Sequence, residues 1–444
     1  MSETTAAKKI DVHYLTRVEG HGNIVVEIDD AGTVQTCRWE VPEAPRFFEA
    51  MLLGKRWDVV HQITSRICGI CSIGHQLASL QATEEALGVR VSRQTTLLRK
   101  LAAHGENLQS HYLHVGYLAL PDYLGVGSVI PLASTHKKEL TTLIGLRRLA
   151  NEFSQVVCGR TTHPQRLCPG GFHKVPSQED LKALRKRLND SLKPLDAVVD
   201  LVASVAHRIP GFTRETEYVA LIHPGEYPLL WGQVGSSQDQ SRPASEYLNL
   251  TNEYLLPQST AKWTKNQARS YMVGALARFN LNHALLHPGA KRAADKLGLK
   301  APCHNPFLIT VAQLVECVHS TEDSVRILDE LIKTGIRPEA PAPVTPQAGR
   351  GAGAVDVPRG ILFHAYEYDD EGRICHADCV IPTNQNHANI QYDMAALTPL
   401  IKDESAESIE LKLSMLVRAY DPCISCSTHC LDLKDRGVVW RRVD

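Results

Sequence analysis

The sequence has no excess of charge of either sign. Its 48 Lys and Arg residues face 49 Asp and Glu residues, which gives a formal net charge of −1 over 444 residues. Proteins that attract nucleic acid or anionic membranes over long distances usually carry a marked basic excess. The balanced charge therefore disfavours a nucleic-acid partner.

Long apolar segments are also missing. A membrane-spanning helix needs about 18 or more consecutive apolar residues, and the chain contains no such run. The N-terminal MSETTAAKKI lacks the apolar core of a secretory signal. We therefore expect a soluble, cytoplasmic protein without a membrane span.

Residue spacing predicts a mainly α chain with small antiparallel β hairpins, that is, an α+β fold. β-prone runs flank Asp29-Asp30-Ala31-Gly32 near one end and Asp369-Asp370-Glu371-Gly372 near the other, and each turn predicts a hairpin. Between them, apolar residues recur every three to four positions. This spacing predicts helical segments over 43–87, 92–120, 177–207, 265–286 and 307–333.

Residues 337–360 are rich in proline and glycine, which predicts a crossing loop or linker. Within it, 349–353 (GRGAG) resembles a phosphate-binding loop. No strand before it and no helix after it are predicted, so we interpret it as linker.

Cysteine is the most informative residue type. Two Cys-x-x-Cys pairs occur, Cys68/Cys71 and Cys423/Cys426, and His75 and His429 follow them by four and three residues. About 350 residues separate the pairs, which excludes a zinc ribbon, whose pairs lie about 15–20 residues apart. Four thiolates favour a zinc, iron or nickel centre. A closed zinc site joining the two ends and a redox-active dithiol remain alternatives.

Six ordered motifs give the sequence a specific resemblance. Arg66-x-Cys68-Gly69-x-Cys71-x-x-x-His75 and Asp421-Pro422-Cys423-x-x-Cys426-x-x-His429 resemble the paired signatures of the nickel–iron hydrogenase large subunit. Four shorter matches lie in the order that this family shows: 17–21 (RVEGH), 46–49 (RFFE), 357–360 (VPRG) and 382–384 (PTN). The related complex I subunit lacks the cysteine pairs and is a poor match.

The resemblance implies one domain over residues 1–444, with a long-helix core and a metal site buried between the N- and C-terminal segments. The metal centre would be nickel bridged to an iron that carries cyanide and carbon monoxide. Cys68 and Cys423 would bind nickel terminally, and Cys71 and Cys426 would bridge the metals. The implied activity is reversible heterolytic oxidation of H2; a hydrogen-sensing or non-catalytic subunit is the alternative.

The same resemblance assigns two routes for the proton released from H2. The Cys423 thiolate takes the proton and passes it to Glu19 in the first route. In the second, Arg359 is the base, although an always-protonated guanidinium favours an electrostatic role.

Further residues are implied around the iron. Pro358 and Thr383 would line the diatomic ligands, with Thr383 donating a hydrogen bond to cyanide. His75 would hydrogen-bond a cysteine sulfur, and Asp421 would orient the backbone and the arginine side chain.

A second metal site, for magnesium or iron, is implied near the C-terminus. Its ligands would be Glu49, His429 and a backbone carbonyl near Cys379. Oxygen donors suit a hard cation, whereas the imidazole suits iron or manganese better.

No third Cys-x-x-Cys pair occurs, so we expect no iron–sulfur cluster in this chain. The resemblance therefore implies that electrons pass to an iron–sulfur small subunit, with further flavin/nicotinamide, F420 or heterodisulfide reductase-type modules beyond it. It also implies maturation proteins and a protease that removes residues 430–444 as a C-terminal extension.

Overall fold

A computed structural model describes residues 8–266 and 269–428. Helices occupy the following segments: α1 Phe48–Leu52, α2 Val60–Thr64, α3 Ser72–Ala86, α4 Arg93–Leu113, α5 Leu120–Tyr123, α6 Leu132–Thr135, α7 Lys137–Cys158, α8 Gln178–Val205, α9 Ala275–Asn282, α10 Pro288–Lys296, α11 Ile309–Thr334, α12 Pro382–Ile401, α13 Ala406–Ala419 and α14 Ile424–Ser427. A π-helical segment, His114–Ala119, continues directly from α4.

Strands occupy shorter segments: β1 Lys8–Val12, β2 Asn23–Ile28, β3 Val34–Glu40, β4 Leu167–Cys168, β5 Gly171–Phe172, β6 Glu217–Ile222, β7 Gln233–Ser236, β8 Asn252–Tyr254, β9 Trp263–Lys265, β10 Tyr271–Met272, β11 Gly349–Val357, β12 Gly360–Tyr368 and β13 Ile374–Val380. They form small sheets in the orders β1-β2-β3, β10-β6-β7, β11-β12-β13, β4-β5 and β8-β9. The pairs are antiparallel except β10 with β6.

Both predicted hairpins are confirmed, and their turns are built alike. In the first, Asp29 Oδ1 accepts hydrogen bonds from the backbone N–H groups of Ala31 and Thr33. In the second, Asp369 Oδ1 accepts from Glu371 and Arg373 in the same way. The side chain of the first aspartate thus closes each turn, which is why the two acidic sequences fold alike.

Long helices form the core, as predicted. The helix α11 packs against both α4 and α8, and α7 packs against α4 and α8 as well. Ser177 and Asp180 form the reciprocal capping box expected at the start of α8. No helix among the described residues is long and apolar enough to cross a membrane.

The prediction of a loop over 337–360 is wrong for its second half. Residues 337–348 contain neither helix nor strand, but Gly349–Val357 form β11, which packs along α3. A Cβ atom on Gly349, Gly351 or Gly353 would lie 2.2–2.3 Å from a backbone oxygen of α3. Glycine at every second position therefore permits close strand–helix packing, rather than marking a flexible linker.

The helix predicted over 265–286 is shorter than expected. The segment contains the end of β9 and the strand β10, and only Ala275–Asn282 form the helix α9. Tyr271 and Met272 pair with Glu217 and Tyr218 of β6. This pairing with a distant strand overrides the local helical spacing.

The two ends of the described chain lie together. The N-terminal sheet contacts α12 through β3 and α13 through β1. Outside this sheet, the backbone N–H of Ile424 donates to the backbone carbonyl oxygen of Glu19 at 2.9 Å. These contacts bring the second cysteine pair back toward the first.

Candidate metal centre

The four cysteines of the two pairs meet in one buried pocket. Cys68 Sγ lies 3.5 Å from Cys423 Sγ, and Cys71 Sγ lies 3.7 Å from Cys426 Sγ. Within the second pair, the two sulfurs are 2.7 Å apart. All four sulfurs lie within 4.8 Å of one another. The structure thus brings the two sequence-distant motifs together.

Helix N-termini surround this pocket. Cys71 directly precedes the 15-residue helix α3, and Thr383 lies in the first turn of the 20-residue helix α12. The exposed N–H groups at a helix start carry partial positive charge, which stabilises a nearby thiolate. Cys68 Sγ in addition accepts hydrogen bonds from the backbone N–H groups of Ile70 and Cys71, at 3.3 and 3.5 Å.

Burial in this pocket disfavours four thiolates unless a cation lies beside them. Burial raises the pKa of Cys426 to about 11 and that of Cys423 well above its usual range. Hydrogen bonds from Cys423, Cys426 and Cys71 lower the pKa of Cys68. The protein alone thus stabilises one thiolate rather than four. Four soft sulfur donors converging on one point fit a centre of nickel and iron, which would replace the protons.

A small cavity lies beside the sulfurs. Its lining consists of Cys71, His75, Val357, Arg359, Ile381, Pro382, Thr383, Cys423 and Cys426. Thr383 Oγ1 accepts the backbone N–H of Cys423 at 3.0 Å, which leaves its own hydroxyl proton for another acceptor. Pro358 is buried beside two lining residues, and its carbonyl oxygen accepts a hydrogen bond from Arg278.

Arg359 is held rigidly by Asp421. Its Nε donates to the Asp421 backbone oxygen at 2.5 Å, and its second terminal nitrogen donates to Asp421 Oδ1 at 2.8 Å. Although burial opposes its charge, Asp421 and the neighbouring cysteines raise the pKa of Arg359 well above its usual range. The guanidinium therefore stays cationic, which supports the electrostatic role rather than that of a base.

Glu19 contacts the second cysteine pair. Its Oε2 lies 3.2 Å from Cys423 Sγ and accepts the Ser425 backbone N–H at 3.1 Å. The Ser425 hydroxyl donates to the other carboxylate oxygen. Arg17, two residues before Glu19, pairs with Asp122 and not with Glu19. The carboxylate is thus placed to receive a proton from the sulfur.

His75 lines the cavity and belongs to a chain of polar side chains. Its Nδ1 is 3.0 Å from His364 Nε2, and His364 Nδ1 is 2.6 Å from the Tyr366 hydroxyl. A hydrogen bond from His75 to a cysteine sulfur stays a prediction.

Glu49 and Cys379, two of the three residues predicted for the second metal site, are in contact. Glu49 Oε1 accepts the backbone N–H of Cys379 at 2.9 Å. The third, His429, lies outside the described residues. Lys262, Glu253 and Asp378, which the sequence did not indicate, form ion pairs here: Lys262 Nζ is 3.3 Å from Glu49 and 2.9 Å from Glu253. Among the described residues, three carboxylates face one lysine here, and carboxylate oxygens are ligands that suit a hard cation.

Other supporting residues were also missed by sequence reasoning. Arg46 donates to the backbone oxygens of both Ile67 and Ser425, and so ties the two cysteine segments together. Glu106 of α4 accepts the N–H groups of Ile73 and Gly74 at the start of α3. Arg46 lies in the matched motif 46–49, so the sequence did point to its segment. Glu106 lies in an ordinary helical pattern, and nothing in the sequence indicates its role.

Comparison with known proteins agrees with this geometry. The family model described as nickel-dependent hydrogenase matches residues 46–145 and 239–429, and a model described as HoxL-like matches 9–44. The alpha chain of sulfhydrogenase 1 from Pyrococcus furiosus is 31% identical over 427 residues, covering 96% of this chain and 98% of that one. One chain of the F420-non-reducing hydrogenase vhc from Methanococcus voltae is 29% identical over 457 residues, covering 95% of each chain.

Solved structures share the fold. A chain of an NAD+-reducing NiFe hydrogenase in the H2-reduced state superposes with a TM-score of 0.84 at 27% identity, covering 96% of this chain and all of that one. The NiFeSe hydrogenase of Dm. baculatum has a TM-score of 0.77 at 22% identity, covering 95% and 100%, which shows the fold alone. The chain therefore belongs to the nickel-dependent hydrogenase family.

Proposed function

We propose that the chain is the catalytic large subunit of a nickel–iron hydrogenase that oxidises H2 reversibly to protons and electrons. One observation carries this proposal: the four cysteine sulfurs lie within 4.8 Å of one another, with the Glu19 carboxylate 3.2 Å from Cys423 Sγ. A zinc site that only joins the two ends would not need that carboxylate beside a ligand sulfur.

The four cysteines would hold the nickel–iron centre, which supplies the open coordination position where H2 is split. The pairing of sulfurs agrees with the proposed ligand roles: the first cysteines of the two motifs are neighbours, as are the second cysteines. Cyanide and carbon monoxide on the iron would lie in the cavity lined by Thr383 and Arg359. A hydroxyl and a guanidinium are hydrogen-bond donors suited to cyanide nitrogen.

The protein provides a proton acceptor beside the centre. The Cys423 sulfur would take the proton from H2 and pass it across 3.2 Å to Glu19. The Ser425 N–H and hydroxyl, both bonded to this carboxylate, fix its orientation. Arg359 would stay protonated, and its positive charge would polarise hydrogen bound at the centre.

Electrons must leave through a partner. Among the described residues, no further set of cysteines lies together as the four of the metal centre do. We therefore propose an iron–sulfur small subunit that accepts the electrons. Flavin/nicotinamide, F420 and heterodisulfide reductase-type modules remain candidates beyond it. An NAD+-reducing hydrogenase among the relatives favours the first, whereas an F420-non-reducing one does not favour the second.

Glu49, the Cys379 carbonyl and His429 are proposed to hold magnesium or iron. The carboxylates of Glu253 and Asp378, which pair with Lys262, would add negative charge beside this site. A cytoplasmic location belongs to the same proposal, since twelve cysteines spread over a chain of 444 residues are unlike the disulfide framework of a small secreted protein. Residues 430–444, proposed as a cleavable extension, lie outside the described residues.

Infrared spectroscopy of the purified complex tests the proposal. Bands of metal-bound cyanide and carbon monoxide, in a sample with equimolar nickel and iron, are expected together with H2-dependent turnover. Zinc alone would contradict the hydrogenase assignment. The bands without turnover would identify the sensing or non-catalytic alternative.

A further inference from the structure

A two-residue turn joins β11 to β12 beside the metal centre. Val357 pairs with Gly360 across the antiparallel strands, which leaves Pro358 and Arg359 as the turn residues. The hairpin turns that match the twist of the strands, types I′ and II′, need a positive φ at the first turn residue. The ring of Pro358 fixes φ at about −65°, so neither type can form here. The strands alone therefore do not favour this turn, and contacts from other elements hold it.

Arg278, one turn inside helix α9, makes two of these contacts. One of its terminal nitrogens donates to the Val357 carbonyl oxygen at 2.8 Å, and the other donates to the Pro358 carbonyl oxygen at 3.0 Å. The start of α9 is also close to the turn, since a Cβ atom on Gly274 would lie 3.0 Å from the Arg359 carbonyl oxygen. The helix α9 and the residue before it thus approach three successive carbonyl groups.

Two carboxylates fix the orientation of the Arg278 guanidinium, which is 0% exposed. Nε and one terminal nitrogen donate to the two oxygens of Glu316 at 2.6 and 2.7 Å, and the other terminal nitrogen donates to Asp356 Oδ1 at 2.9 Å. With the two carbonyl oxygens, these acceptors use all five N–H groups of the side chain. Although burial opposes its charge, Glu316 and Asp356 raise the pKa of Arg278 above its usual range. A lysine, with three donors on one atom, could not reach all of these groups.

We propose that Arg278 is the positioning residue that holds the Pro358–Arg359 turn and thereby directs the Arg359 guanidinium toward the metal centre. Asp421 holds the far end of the Arg359 side chain, whereas Arg278 holds the backbone from which that side chain extends. Arg278 is not among the residues that line the cavity, so it acts on the centre through the turn. A buried arginine that only stabilises the fold would need its two carboxylates but not the turn carbonyls.

Arg99 of α4 provides a matched control, because it is a buried arginine of the same kind. It is also 0% exposed, donates to both oxygens of Glu84 at 2.7 and 2.6 Å, and donates to the Cys168 carbonyl oxygen at 3.1 Å. Cys71 and Glu84 lie at opposite ends of the 15-residue helix α3, about 20 Å apart. Arg99→Lys therefore weakens a comparable ion pair far from the metal centre.

Crystal structures of the complex with Arg278→Lys and with Arg99→Lys test the positioning, whether or not the complex turns over H2. We expect Arg278→Lys to displace the Pro358–Arg359 turn and to break the hydrogen bond between Arg359 Nε and the Asp421 carbonyl oxygen. Arg99→Lys should leave both in place. An unmoved turn in Arg278→Lys, or an equal displacement in Arg99→Lys, would overturn the inference.

A second variant serves if Arg278→Lys fails to fold. Glu316→Gln retains the size of the side chain but replaces one of the two carboxylate oxygens that orient Arg278 by an amide nitrogen, which cannot accept its N–H group. We expect the crystal structure of this variant to show the same displacement of the turn. A turn that stays in place in Glu316→Gln would contradict the inference.

Infrared spectra and kinetics test the consequence for the centre, which rests on the proposed function. In Arg278→Lys we expect unchanged nickel and iron contents, shifted cyanide bands and a kcat for H2 oxidation about tenfold lower, with KM nearly unchanged. Arg99→Lys should retain the wild-type bands and kcat. Unshifted bands in metal-loaded Arg278→Lys would contradict the inference. A wild-type complex without cyanide bands would instead contradict the proposed function, and the crystal structures would still decide the positioning.

A double substitution shows whether Arg278 acts through Arg359. If it does, Arg278→Lys combined with Arg359→Lys should lose no more kcat than Arg359→Lys alone, because both changes affect the same group. Losses that multiply would show an independent effect on the fold and contradict the inference.

Discussion

The two cysteine pairs have the same spacing but are held by different means. Cys68 and Cys71 are set locally: Cys71 precedes the long helix α3, and Cys68 Sγ accepts N–H groups two and three residues ahead. Of the second pair, Cys423 directly precedes α14 and Cys426 lies on it, and this helix is only four residues long. A helix this short is not stable by itself.

Distant residues compensate for the short helix. The backbone of 423–427 is bonded by Thr383, Glu19 and Asn384, the last of which donates to the Ser427 oxygen at 2.9 Å. The first pair thus depends mainly on local structure around α3, whereas the second depends on contacts with the N-terminal segment and α12.

Loss of a ligand from the second pair should have the largest effect. Cys423→Ser replaces a soft thiolate by a poor ligand for nickel, so we expect a fall in activity beyond the roughly 10–100-fold typical of supporting residues. Nickel content and H2 oxidation measure it. Cys375→Ser changes an exposed cysteine of β13 and is the control. Full nickel occupancy with normal turnover in Cys423→Ser would contradict the ligand assignment.

Glu19→Gln separates proton transfer from metal binding at the second pair. The amide retains hydrogen-bonding capacity toward Ser425 but cannot accept and release the proton, so H/D exchange is expected to slow by about 100-fold or more. Nickel and iron contents should be unchanged. Exchange at the wild-type rate would remove Glu19 from the proton path.

Thr383→Val tests whether the second pair depends on side chains far away in sequence. The substitution leaves the buried N–H of Cys423 without its acceptor, at a cost of about 1–3 kcal/mol. We expect partial loss of nickel on dialysis against a chelator, whereas Thr398→Val, elsewhere on α12, serves as the control. Equal nickel retention in both variants would show that the second pair holds its geometry unaided.

Glu106→Gln tests the support of the first pair, with a smaller effect that depends on pH. Burial raises the pKa of Glu106 to about 8 from an ordinary 4.5. Because the folded pKa is the higher one, its stabilising contribution is complete below pH 4.5 and is lost as the pH rises through 8. The variant, which stays neutral, should gain stability relative to the wild type over this range, by at most a few kcal/mol. Chemical unfolding at several pH values measures the difference; a constant difference would contradict a titrating Glu106.

This contrast also explains what the sequence could reveal. The hairpins and α4, α8 and α11 follow from local spacing and turn residues, and the cysteine motifs give the ligands. The helix α12 has 14 buried residues out of 20, so it lacks the one-sided apolar pattern that identifies a helix. The sequence of β11 predicts a linker, because its glycines serve to let the strand pack closely against α3, which lies more than 260 residues away in the chain.

The same limit applies to the site. Glu19, Arg359 and Thr383 lie in matched motifs, and the structure brings them to the cysteines. Lys262 lies outside any motif, and its partners Glu49 and Asp378 come from distant segments. Such long-range partners depend on the complete fold and leave no local pattern.

X-ray absorption at the nickel edge of the purified complex tests the central claim, that sulfurs from both ends of the chain bind one two-metal centre. The account predicts nickel surrounded by sulfur donors with iron as a near neighbour, and fewer sulfur donors in Cys68→Ser and in Cys423→Ser alike. Nickel without sulfur ligands, or a sulfur count that only one of the two substitutions lowers, would contradict it.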